Sequence, residues 1–238
     1  HQIPIQTSFN LLKYININPS INYQERWYFQ KIEKEWDPVA KQVVDSDTTW
    51  GFYRLYNYSM SVAATTKIYG TYLFKKKDGL IRAIRHMITP SISFSYTPDF
   101  GKNGYGYYKQ VQSDTTGHIM TYSPFQNGLY GVPSSGPNMS MSFGISQTLE
   151  AKVRDRRDTS GVRKIKLIDN FSINSSYNFL ADSLNLAPFS LSLRTTLTKN
   201  VALNVSATLD PYQVDPVSGN RINRFMIKKG SLARLTSV

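Results

Sequence analysis

Between residues 169 and 211, apolar and polar side chains alternate almost without interruption. Phe171, Ile173, Tyr177 and Phe179 are interleaved with Asn170, Ser172, Asn174, Ser176 and Asn178. The beat continues through Phe189, Leu191, Leu193 and Leu197, then through Val201, Leu203, Val205 and Leu209, with mostly Ser, Thr and Asn between them. A two-residue period sends successive side chains to opposite faces of an extended strand, so each run has one oily and one wet face.

The pattern recurs along the chain. Ile3, Ile5, Phe9 and Leu11 share a face, as do Ile15, Ile17, Ile21, Tyr23, Trp27 and Phe29. A run over residues 52–74 holds Tyr56, Tyr58, Met60, Val62, Ala64, Ile68 and Tyr72 in phase. Further runs carry Ile84, Ile88, Ile92, Phe94 and Tyr96, then Met139, Met141, Phe143, Ile145, Leu149, Ala151 and Val153. Shorter pieces at residues 222–227 and 231–238 begin two more strands, for about ten in all, within the range of known membrane barrels. Several runs reach or exceed the roughly 9–11 residues that a tilted strand needs to cross a bilayer, longer than the usual strand of a soluble sandwich. The expected fold is all-β: part of an antiparallel, up-and-down transmembrane β-barrel, with residues 1–238 forming a portion of one outer-membrane barrel domain and no second domain. An open sheet in lipid would leave backbone groups unpaired, so the chain is read as an internal piece of a larger barrel.

Composition agrees with a sheet that is oily on one side. Hydrophobic residues make up 40% of the chain and aromatic residues 13%, and no stretch approaches the roughly 20 consecutive apolar residues of a membrane helix. Cysteine is absent, which excludes disulfides, thiol chemistry and zinc–cysteine sites. The three histidines, His1, His86 and His118, do not form a metal-binding spacing, and His86 shares strand parity with Ile84 and Ile88. Gly101, Gly104 and Gly106 open no helix and so do not make a phosphate-cradling loop. No catalytic, cofactor-binding or metal-binding residues are assigned, and the chain is not read as an enzyme.

The expected connections alternate in length: tight at 12–14, long at 30–49, short at 75–80, longest at 99–136, basic at 154–164, modest at 181–187, tight at 199–200, then 210–220. In membrane barrels the short turns face the periplasm and the long loops face outside, so residues 99–136 are expected to be extracellular. Subtracting 16 acidic from 28 basic residues gives a net charge of +12. The excess gathers at the short turns: Lys75, Lys76, Lys77, Arg82 and Arg85; Arg154, Arg156, Arg157, Arg163, Lys164 and Lys166; Lys199; Lys228 and Lys229. A rim of one sign concentrates anions. The basic residues follow turns and do not form a stripe interleaved with aromatics, which argues against a nucleic-acid partner. Pro19 and Pro90 fall inside strand runs, where each removes a ladder donor; a bulge is expected at both, and a weakened seam is the functional alternative.

Four stretches resemble the lipopolysaccharide-assembly outer-membrane translocon family, LptD. They are residues 84–100 (IRHMITPSISFSYTPDF), 122–136 (YSPFQNGLYGVPSSG), 167–197 (LIDNFSINSSYNFLADSLNLAPFSLSLRTTL) and 221–225 (RINRF). The resemblance implies a large barrel in the outer membrane of a Gram-negative bacterium that inserts lipopolysaccharide into the outer leaflet without changing a covalent bond. It implies lipopolysaccharide, membrane lipid, a lipoprotein plug and periplasmic bridge proteins as partners, and no cofactor. Lys75, Lys76, Lys77, Arg82, Arg154, Arg156 and Arg157 are candidates to line an anionic-lipid entrance at the periplasmic rim. Phe171, Ile173, Phe179, Leu191, Leu193, Val201, Leu203 and Val205 are candidates to face lipid. A porin or nutrient-transporter barrel shares the alternation and long outer loops and is the alternative reading; a membrane-embedded hydrolase and a soluble sandwich are more distant rivals.

Overall fold

The computed structural model describes residues 1–75, 79–155, 162–198 and 201–237. Their strands are β1 (Gln2–Gln6), β2 (Phe9–Leu11), β3 (Ile15–Asp37), β4 (Gln42–Thr66), β5 (Ile68–Leu73), β6 (Ile81–Thr97), β7 (Lys109–Gln112) and β8 (Ile119–Tyr122). They continue as β9 (Asn138–Arg154), β10 (Val162–Asn178), β11 (Phe189–Thr198), β12 (Val201–Asp210), β13 (Tyr212–Val214), β14 (Arg221–Phe225) and β15 (Arg234–Ser237). The only helical turns among the described residues are two short 3-10 turns, Asn103–Tyr105 and Met226–Lys229.

Eleven strands form one sheet in the order β1-β3-β4-β6-β9-β10-β11-β12-β15, with β2 also on β3 and β5 also on β6. Spatial order follows chain order, the meander that short turns between antiparallel strands produce. The described sheet runs from β1 to β15 without closing into a ring. Two-stranded ribbons, β7–β8 and β13–β14, stand apart from it.

Leu12 and Lys13 turn the chain between β2 and β3 with φ of 51° and 66°, and the Tyr14 N–H donates to the Leu11 carbonyl at 3.2 Å. Two successive left-handed residues give the backbone twist that a two-residue hairpin requires, so the expected tight link forms without glycine. β1 and β2 pair with β3 in one continuous register, Gln2 opposite Gln24 and Phe9 opposite Ile17. The ladder is interrupted beside Pro19, yet the Thr7 N–H still donates to the Pro19 carbonyl at 3.2 Å. The proline therefore deletes a donor without shifting the register of this ladder, and the pairing of β3 with β1 and β2 shows no bulge there. Register shifts do occur in β10, between Lys166 and Ile168 and between Ile168 and Phe171, and again between Thr196 and Thr198 and between Thr208 and Leu209.

The long connection expected at 30–49 is instead an extended hairpin. β3 runs to Asp37 and β4 starts at Gln42, joined by a short turn in which Asp37 Oδ1 accepts the N–H groups of Val39 at 2.8 Å and Ala40 at 3.1 Å. Glu33, Glu35, Asp45 and Asp47 are strand residues, and Lys34 pairs with Asp45 at 3.5 Å. Backbone ladders need no apolar side chains, so the strands continue past the end of the oily face. A second difference is residues 222–227: β14 pairs with β13 and Met226–Lys229 is a 3-10 turn, so this piece is not a strand of the main sheet.

The chain divides into two compact units, residues 1–7, 19–61 and 95–139 in one, and 8–18, 62–94 and 140–238 in the other. The first owns the aromatic core: Tyr28, Leu55, Phe100, Tyr107 and Phe125 are buried together. Trp27, Phe29 and Phe52 cluster by ring contacts and stay exposed, so the chain after β6 covers the opposite side of β3 and β4. It also supplies hydrogen bonds to their backbones. The Tyr107 hydroxyl accepts the Tyr56 N–H at 2.8 Å and lies 3.1 Å from the Tyr56 carbonyl; the Pro124 carbonyl accepts the Ile32 N–H at 2.9 Å. Exposed strand edges invite foreign pairing, and these contacts occupy them.

Candidate functional site

In the first unit the connection between β6 and β9 is tied at both ends and in the middle. Asp99 Oδ1 accepts the N–H groups of Gly101 and Gly136, each at 2.8 Å. Lys109 Nζ donates to both Glu33 oxygens at 2.6 and 2.7 Å, with Lys31 at 3.0 Å from the same carboxylate. The Tyr122 hydroxyl accepts the Lys34 N–H at 3.0 Å and donates to Glu33 Oε2 at 3.3 Å. At the β7–β8 turn, hydrogen bonds to Asp114, first from the Thr116 hydroxyl and then from the His118 N–H, hold its carboxyl below the ordinary value. This segment, expected as the longest connection, is a folded cap.

In the second unit, strand pairing arranges the candidate lipid-facing residues in rows. Phe171 stands opposite Leu193, which stands opposite Val205; Ile173 stands opposite Leu191. Leu203 pairs with Thr195, and Val201 pairs with Thr198 after a register shift. Phe179 follows the end of β10 and meets Phe94 at 6.1 Å between ring centroids. Phe179, Val201, Leu203 and Val205 are exposed, and Phe171, Ile173, Leu191 and Leu193 are half-buried. None of the eight belongs to a packed core.

The candidate basic rim is only partly described. Lys76, Lys77, Arg156 and Arg157 lie outside the described residues. Lys75 follows β5 and is exposed, Arg82 is half-buried on β6, and Arg154 ends β9 with its N–H donating to the Leu80 carbonyl at 2.8 Å. Arg163 pairs with Asp155 at 3.8 Å.

Farther along the same strands lies a hollow of about 340 Å³ whose lining includes Tyr69, Thr71, Arg85, Glu150, Lys152 and Lys164. The β5–β6 register sets Thr71 opposite Arg85, and the β9–β10 register sets Lys152 opposite Lys164 and Glu150 opposite Lys166. The Arg85 guanidinium sits 4.7 Å from the centroid of the Tyr69 ring. Ala83 and Ala151, both buried, also line the hollow. Lys152 escapes a reading that collects charges at turns, because it lies between Ala151 and Val153 inside a strand. Its polar phase within β9 is the signal that could have found it.

The histidines do not converge. His86 Nε2 is 2.9 Å from Gln147 Oε1, His118 lies in the β7–β8 turn, and the His1 ring rests on Trp27 at 4.6 Å. Among the described residues no group of three or more His, Asp or Glu side chains could hold a metal ion.

The described residues define an all-β protein: an antiparallel meander of long strands with many exposed apolar side chains. The family model described as LptD protein matches residues 1–212, and the chain belongs to that family. Three of the four stretches singled out in the sequence fall within the match, and residues 221–225 lie beyond it. No curated protein and no solved structure matches the chain. Membership relates the chain to lipopolysaccharide transport, in a family of the outer membrane.

Proposed function

We propose that the chain is part of the barrel wall of an outer-membrane translocon that inserts lipopolysaccharide into the outer leaflet, residues 1–238 belonging to a single barrel domain. The observation that carries this reading is the family match over residues 1–212 of a chain eleven of whose described strands form one antiparallel sheet. In this reading Phe171, Ile173, Phe179, Leu191, Leu193, Val201, Leu203 and Val205 face hydrocarbon, and the Ser and Asn of the other phase face water. The β2–β3 turn and the candidate basic rim lie on the periplasmic side, and the short β3–β4 turn and the cap of residues 98–137 lie on the outer side. Lipopolysaccharide carries phosphates, so a positive rim made by Lys75, Lys76, Lys77, Arg82, Arg154, Arg156 and Arg157 raises its local concentration at the entrance. A lipoprotein plug and periplasmic bridge proteins complete the route, and the work is movement, with no bond made or broken.

Neutralising those seven residues in groups, within the full-length protein in cells depleted of the wild-type copy, tests the assignment. Surface delivery of lipopolysaccharide should fall, and in the groups that spare the half-buried Arg82 and Arg154 the protein level should stay normal, because exposed charges add little to stability. Unchanged delivery at normal protein level rejects the entrance. Steady ion conductance of the purified, complete assembly in planar bilayers would favour an open porin instead.

A further inference from the structure

We propose that the hollow between Tyr69, Arg85, Lys152 and Lys164 is a binding site for a phosphate ester, and that its ligand is the phosphorylated headgroup of a membrane amphiphile. The ligand's charge follows from the geometry; its identity as a lipid headgroup rests on the transport reading.

Lys152 and Lys164 are directly opposed across β9 and β10. Two like charges directly opposite one another repel and destabilise a sheet. Among the described residues, neither lysine nor Arg85 forms an ion pair with a carboxylate. Glu150 lines the same hollow, but its cross-strand neighbour is Lys166. Three cations therefore face one carboxylate, and the hollow keeps a positive charge that its own side chains do not cancel. A bound dianion would turn the repulsion between the lysines into two attractions.

The shape suits that ligand as well as the charge does. Cations of one sign lining a concave surface reinforce one another's field more than the same cations on a convex one. The Tyr69 ring carries one face of the Arg85 guanidinium, which fixes its plane and leaves N–H groups at its edge to donate. That fork matches two phosphate oxygens, while the lysines act as point charges. The small side chain of Ala83 leaves room, and the Thr71 hydroxyl is a further donor.

The test uses the full-length protein in a maltoside detergent, titrated with bis-phosphorylated lipid A, the same lipid stripped of phosphate, and inorganic phosphate. With wild type, the phosphorylated lipid should bind more tightly than the stripped one, and added salt should narrow the gap. Lys152→Gln with Lys164→Gln, and separately Arg85→Gln, should weaken phosphorylated lipid A by about tenfold or more and leave the stripped lipid unchanged. Lys164→Arg should retain binding. The double variant should melt no lower than wild type, since it loses a repulsive pair, so a binding defect would not reflect unfolding. Equal affinity of wild type and both Gln variants for phosphorylated lipid A overturns the site and leaves the transport reading standing. Inorganic phosphate bound by wild type and lost in the variants, with no lipid A binding by either, upholds the phosphate chemistry and rejects both the lipid ligand and the transport reading.

Discussion

Asp210→Ala should lower stability by about 2–3 kcal/mol and free the β13–β14 ribbon from the rest of the second unit. The carboxylate is almost completely buried where β12 ends. Its Oδ2 lies 3.6 Å from both Arg221 Nε and Arg234 Nη2, and its Oδ1 accepts the Tyr212 N–H at 3.0 Å. One side chain thus joins β12, β14 and β15. Truncation leaves the Tyr212 N–H without its partner inside a buried segment and brings two guanidinium groups together with nothing between them. Both arginines remain partly exposed, and water takes up some of their charge, which keeps the loss below that of a fully buried pair. Around this corner Tyr212 stacks on Phe225 at 4.9 Å, its hydroxyl accepts the Leu186 N–H at 3.0 Å, and the Pro211 carbonyl accepts the Met226 N–H at 2.7 Å. Hydrogen exchange should therefore rise across residues 179–188 and 211–235 together. Asp210→Asn keeps an acceptor for Tyr212 and should lose less. A melting curve for Asp210→Ala identical to wild type would show that the corner is held by its aromatic contacts alone.

Gly128→Val should open the cap of residues 98–137, at a cost of about 1–3 kcal/mol. A Cβ at position 128 would overlap the Tyr28 ring and stand 3.2 Å from the Phe125 carbonyl oxygen. Tyr28 has little freedom to yield: its ring packs 5.3 Å from that of Phe125, and its hydroxyl lies 2.7 Å from the Tyr130 carbonyl oxygen and 3.0 Å from that of Gly131. Relief requires expelling either the ring or the segment above it, and both take apart the cluster with Leu55, Phe100 and Tyr107. Brief proteolysis of the folded protein should cut within 98–137 much faster in the variant, while a protease-resistant remainder persists. Equal cleavage rates would mean that the cap does not depend on this close approach.

The periodic runs made the strands legible because a period of two has only one regular backbone that satisfies it. The phases of residues 171–179, 189–197 and 201–209 even anticipate the rows Phe171–Leu193–Val205 and Ile173–Leu191. Where the oily face ended, the signal ended too, although the β3–β4 hairpin continues on backbone bonds and ion pairs. The cap was illegible for a different reason. Its core uses Tyr28 and Leu55, which stand out of phase with the oily residues of their strands, and only a distant segment bearing Phe100, Tyr107 and Phe125 gives them something to pack against. Asp210 reads locally as a turn residue; its two arginine partners are eleven and twenty-four positions away in the chain. The basic character of the candidate entrance was visible in composition, but the pairing of Lys152 with Lys164 depends on strand register, which two bulges in β10 reset.

In the proposed barrel wall the oily strand face meets lipid and the hydroxyl- and amide-rich face meets water. These 238 residues contain no cysteine, so single cysteines carrying spin labels can be placed along them one at a time, in full-length protein in liposomes with any cysteine elsewhere replaced. Labels at Phe171, Leu193, Leu203 and Val205 should be relaxed strongly by oxygen dissolved in the bilayer, and labels at Asn204 and Ser206 by a water-soluble nickel chelate, alternating with every residue along β12. Apolar positions shielded from both agents, as in the dry centre of a soluble sandwich, or equal access of the chelate to both phases, would contradict the claim.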